Sequence, residues 1–184
     1  MDLSASRVLV ACVGNVLLGD DGFGVAVARR LSARTWPEGV HVRDFGIRGF
    51  DFVCALLEGY AATILVDAVT RGGPPGRLYV FEPDCGTAPD PRTAGFDPHR
   101  MDPARVLGLV RAMGGRVGLF RVVGCEPAVV AGEDEPRMGL TEAVEAAVGP
   151  AVEIVARLVA DSRVRTLERS ESSDESPDGE VAHA

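Results

Sequence analysis

The chain alternates between two hydrophobic periods. Residues 7–13, RVLVACV, form a near-continuous apolar run, as expected of a strand buried on both faces of a sheet. Between Gly22 and Thr35 the apolar positions Phe23, Val27, Ala28 and Leu31 recur at helical spacing. VHVRDFG (40–46) alternates as a strand does, and FDFVCALLEG (50–59) predicts a helix stopped by Gly59. ATILVDAV (62–69) is a second buried strand with one charge, Asp67, near its end. RLYVFEP (77–83) predicts a further strand, followed by a long irregular stretch to His99. In PARVLGLVRAMGG (103–115) proline opens the helix and glycine closes it, with Asp102 placed as N-cap. RVGLFRVVGCEP (116–127) is the last strand, and 140–161 is a long amphipathic helix that Thr141 is placed to cap and Pro150 to kink.

This rhythm predicts an α/β fold, with helices on both faces of a mainly parallel sheet of about five strands. One connection breaks the pattern. TRGGPPG, between Val69 and Arg77, is far shorter than the dozen or more residues of a parallel crossover. The strand at 77–83 must therefore run antiparallel to the one before it. No internal repeat is visible, and residues 1–161 are expected to form one domain. From Asp161 onward seven acids face three arginines, half of the net charge of −8, so 162–184 is expected to be a disordered acidic tail.

Composition removes several chemistries. All 19 basic residues are arginine, so there is no Walker lysine, Schiff-base lysine or Ser–Lys dyad. Ser32 is the only serine between residues 7 and 161, which leaves no G-x-S-x-G elbow. Cys12, Cys54, Cys85 and Cys125 include no C-x-x-C pair and read as buried thiols of a reducing compartment. The acidic balance with no basic stripe argues against nucleic acid. No membrane-length apolar stretch and no basic-then-apolar leader are present, so a cytoplasmic protein is expected.

The candidate chemistry begins at GNVLLGDDGFG (14–24), a glycine-rich strand-to-helix turn. Where a phosphate-binding loop carries Lys and Ser/Thr, this one carries Asp20 and Asp21, which repel phosphate and attract a cation. Ligands of open α/β sheets sit beyond the carboxyl ends of the strands, where Asp67 also lies. The segment 84–98 reaches up to roughly 50 Å when extended, enough to return His99 to the same crevice. Two carboxylates and an imidazole suit a divalent ion such as Ni²⁺ or Zn²⁺. Each residue also has a structural reading. Asp20 is expected to cap the following helix, and Asp21 equally reads as a first-turn acid favouring the helix dipole. Asp67 is open to pairing with Arg48 or Arg71, His99 to a surface position, and Asp44 to a supporting or turn role.

The ordered set GNVLLGDDGFG, DFGIRGFD, ILVDAV, PPG, DPH, VGCEP and GLT resembles the hydrogenase maturation proteases over roughly residues 7–160. The resemblance implies an α/β/α sandwich and an endopeptidase that removes a C-terminal extension from the [NiFe]-hydrogenase large-subunit precursor once nickel is inserted. It implies Asp21, Asp67 and His99 as the metal-binding and catalytic triad, with nickel carried by the precursor as partner; a monomer is expected. A non-catalytic nickel checkpoint on the same fold is the alternative. The sequence departs from the family pattern in three places: Asp21 stands where Glu is frequent, Cys12 replaces a glycine, and Arg48 enters a turn of small residues.

Overall fold

The computed structural model describes residues 7–83, 102–130 and 136–174, with side chains described as far as Arg163. The described strands are β1 (Val8–Val13), β2 (Val40–Gly46), β3 (Ala62–Ala68), β4 (Leu78–Phe81) and β5 (Leu119–Cys125). The helices are α1 (Phe23–Ser32), α2 (Gly49–Leu57), α3 (Pro103–Ala112) and α4 (Glu142–Asp174). The sheet order is β2-β1-β3-β5-β4. β1 pairs in parallel with β2 and β3, and β3 in parallel with β5. β4 pairs antiparallel with β5, so it opposes β3 as the short connection demands, although the two are not neighbours.

Alternation along the buried strands sends side chains to two separate cores. Val8, Val10 and Cys12 of β1, with Ile64 and Val66 of β3, pack beneath α1 and α4. Leu9, Ala11 and Val13, with Leu65 and Val122, pack beneath α2 and α3. The molecule is thus a three-layer α/β/α sandwich. Every residue of β1 is buried, which explains why that strand carries no polar alternation.

α1 lies hard against the sheet. A side chain on Gly24 would place its Cβ 2.1 Å from the Val13 carbonyl oxygen and 2.6 Å from that of Val66. Only glycine lets the helix start this close to the strand ends, and closeness there brings the preceding turn over the carboxyl edge of the sheet. Asp102 caps α3 as expected, its Oδ1 accepting the Ala104 N–H at 3.0 Å, with Pro103 at the first helical position.

The carboxyl-terminal helix runs on past Asp161, where the acidic tail was expected to begin, as far as Asp174. Ser162 is buried and its hydroxyl donates to the Leu158 carbonyl, while Arg163 donates to the Glu38 carbonyl. Extending a nucleated helix costs far less than starting one, so polar residues propagate it beyond the packed turns. Residues 175–184 lie outside the described residues.

Candidate active site

β1 ends at Val13 and the chain turns through Gly14, whose φ is +141°. A Cβ on Gly14 would lie 2.0 Å from the Asp21 carbonyl oxygen, so the turn closes only over glycine. Asn15 then organises the loop. Its Oδ1 accepts the Leu17 N–H at 3.0 Å, its carbonyl accepts the Leu18 N–H, and its own N–H donates to Asp21 Oδ2 at 2.7 Å. A single 3-10 turn over Asp20–Gly22 leads into α1.

The two consecutive aspartates have different environments. Asp20 is wholly buried. Its Oδ2 accepts the N–H groups of Ala128 and Val129 and the Thr141 hydroxyl, and its Oδ1 accepts the Thr141 N–H. Burial alone would raise this carboxyl, but hydrogen bonds from Thr141, Val129 and Ala128 hold it below the ordinary carboxylate range. Asp20 therefore does not cap α1, whose N-cap position is Gly22 with no side-chain cap. It is a staple joining the glycine loop to the segment after β5 and to the start of α4. The Thr141 hydroxyl, expected as a cap, donates into that staple. Main-chain bonds from Gly19 to Arg137, Asp20 to Val129 and Arg137 to Leu17 reinforce the seam.

Asp21 is half-buried, and burial raises its carboxyl against the single lowering hydrogen bond from Asn15. Asp67, next to last in β3, is also half-buried. Burial raises it well above the usual range, and the Asp21 charge raises it further against one hydrogen bond from Ala68. The structure thus brings these two predicted residues together at the carboxyl edge, close enough to repel. Neither Arg48 nor Arg71 is paired with Asp67 among the described residues. Arg48 donates to the Phe45 and Asp44 carbonyls and lies 3.5 Å from Asp51, while Arg71 stacks 3.8 Å above the Phe81 ring. His99 lies outside the described residues. Among the described residues no three His, Cys, Asp or Glu side chains are grouped to hold a metal.

Three further polar residues have structural partners. Asp44 is a turn residue, with Oδ1 accepting the Gly46 N–H at 2.9 Å. His41 sits 3.0 Å from the Tyr60 hydroxyl, at the start of β2 and away from the site. Glu126, to which sequence reasoning attached no role, is buried just past β5. It accepts the Arg71 and Gly72 N–H groups and the Tyr79 hydroxyl at 2.7 Å. Burial would raise Glu126, but Tyr79 and the Arg71, Gly73 and Gly72 N–H groups hold it low. It clamps the connection that leaves β3 just after Asp67. A buried acid directly after a strand was the available signal.

A cleft of ≈ 430 Å³ is lined by Gly14, Asn15, Val16 and Leu17 and by Asp44–Arg48, and its Asn15 is the residue whose N–H holds Asp21. Its lips expose Val16, Leu17 and Ile47.

The model of one protein family, described as hydrogenase maturation protease, matches residues 25–158. The chain belongs to the hydrogenase maturation protease family. The hydrogenase 2 maturation protease of Escherichia coli is 30% identical over 164 residues, covering 89% of this chain and 96% of that protein. The structure of the hydrogenase maturating endopeptidase HybD from E. coli superposes with a TM-score of 0.69 at 30% identity, covering 85% of this chain and 93% of that one. A hydrogenase 2 maturation peptidase from a Thaumarchaeota archaeon gives 0.63 at 35% identity, with 84% and 98% covered. In this maturation protease two of the described cysteines, Cys12 and Cys125, are buried thiols. Burial pushes the Cys125 thiol up to about 12 and raises Cys12 further, while Cys54 is exposed on α2. Among the described residues no helix is long and apolar enough to cross a membrane.

Proposed function

We propose that this maturation protease removes the C-terminal extension of a [NiFe]-hydrogenase large-subunit precursor after nickel has been inserted. Asp21, Asp67 and His99 read the metal that the precursor carries, so nickel is part of the substrate and not a resident cofactor. The observation that supports this most is the placement of Asp21 and Asp67 at the carboxyl edge of the sheet, each half-buried with a single main-chain N–H donor. Two half-buried acids without a neutralising arginine among the described residues favour a cation between them. The ion then polarises the scissile carbonyl or activates a water, or a carboxylate serves as general base while nickel licenses recognition.

The test is incubation of the full chain with nickel-loaded and nickel-free precursor, followed by intact mass spectrometry. Loss of a C-terminal peptide only from the loaded precursor is the expected result. A stable complex that is never cleaved would favour the checkpoint reading, and equal cleavage of both precursors would remove nickel from recognition.

A further inference from the structure

The cleft lined by Asn15 carries charge that the proposed triad does not use. Its walls are apolar at Val16, Leu17, Val25, Phe45 and Ile47, yet two guanidinium side chains, Arg29 from α1 and Arg48 from the β2–α2 turn, also line it. Arg48 is not a loose surface arginine. Its Nε donates to the Phe45 carbonyl at 3.1 Å and its Nη2 to the Asp44 carbonyl at 2.7 Å, which fixes the cation at the cleft. Ordering a charge before binding lowers the entropy lost when a partner arrives.

The nearby acids are weak competitors for it. Asp44 spends Oδ1 on the Gly46 N–H, and Asp51 stands 3.5 Å from Arg48 with both side chains largely exposed. In a chain whose net charge is −8, this cleft gathers two arginines against Asp44, the one acid among its lining residues. Arginine presents a planar fork of donors matched to carboxylate geometry.

We propose that Arg29 and Arg48 select an acidic side chain in the peptide segment that lies in this cleft, with apolar residues beside it on the Val16, Leu17 and Ile47 lips. This rests on the proposed peptide substrate and specifies its chemistry: an apolar extension interrupted by Asp or Glu.

The experiment uses nickel-loaded large-subunit precursor bearing Glu, Gln or Lys at each of the first residues beyond the cut. At one of those positions Glu is expected to be processed about tenfold better than Lys, through KM more than kcat, with the preference fading at high salt. Arg48→Glu is expected to invert the order, and Arg48→Lys to keep its direction at reduced size. Equal processing of all three at every position overturns the proposal. So does loss of the preference when two residues are appended to the extension, because the free terminal carboxylate would then be the recognised group. Fluorescence anisotropy with labelled extension peptides reads the same preference without cleavage. A charge preference there with no processing at all would sink the proposed reaction and leave the carboxylate selection standing, whereas no preference in binding overturns the selection itself.

Discussion

Asp20, Glu126, Asp21 and Asp67 at the carboxyl end of the sheet fall into two pairs with opposite surroundings. Asp20 and Glu126 are buried among main-chain N–H donors, and each is held below the ordinary carboxyl range against the effect of burial. Asp21 and Asp67 each have one main-chain donor, and burial raises both. Asp20 and Asp21 are adjacent in sequence and chemically alike, so the difference lies wholly in what the fold brings to each. A saturated carboxylate is architecture. An under-coordinated one retains lone pairs, and the fold bears its cost in stability.

The contrast is broken most severely at the under-coordinated pair. Asp67→Asn and His99→Ala are each expected to slow processing of the nickel-loaded precursor by at least about 10²-fold, measured by mass spectrometry, with the thermal melt retained. Full activity in either variant would mean that the triad is misassigned.

Asp20→Ala strikes the saturated pair. It strands the Ala128, Val129 and Thr141 N–H groups, and a loss of about 3 kcal/mol in urea unfolding is expected. The sign with pH follows from its low folded-state value. The Asp20 contribution is present above the unfolded value near 3.8 and is lost as pH falls through the folded one. Asp20→Asn should therefore flatten the acid limb of the stability profile.

The next effect is smaller and opposite in sign. Asp67 ionises more readily unfolded than folded, so its penalty is absent below about 3.8 and grows as pH rises from there. Asp67→Asn should thus stabilise the fold by about 0.5–2 kcal/mol at neutral pH while abolishing activity. A variant no more stable than the parent would show that Asp67 is already well solvated.

The smallest effect belongs to the far end of the sheet. Arg43 and Glu58 form a two-bond pair at 3.0 and 3.3 Å with both side chains exposed. Arg43→Ala should cost no more than about 1 kcal/mol and leave processing untouched. A larger loss would show that exposed pairs in this protein are not screened as expected.

Much of this was legible before any coordinates. The apolar run 7–13 foretold burial on both faces, and the brevity of TRGGPPG foretold the reversed direction of β4. Asp21 and Asp67 were singled out because strand ends in such sheets face the ligand crevice. The duty of Asp20 was not legible, since its donors lie 108 to 121 residues along the chain and local rules see only a helix start. Glu126 escaped for a similar reason: its donors are the main chain of Arg71 and Gly72 and the hydroxyl of Tyr79, which no side-chain pattern records. The run of α4 beyond Asp161 was missed because composition describes a tail's solubility and not the helix already propagating into it.

The staple at Asp20 also sets a schedule for synthesis. The glycine loop leaves the ribosome well before the groups that hold it, which arrive with Ala128, Val129 and Thr141, 108 to 121 residues later. Until then the loop carrying Asp21 has no distant anchor, and long-range closures of this kind form late in folding. A nascent or truncated chain ending before Thr141 would hold Asp21, Asp67 and His99 and still lack the lock that sets the loop carrying Asp21.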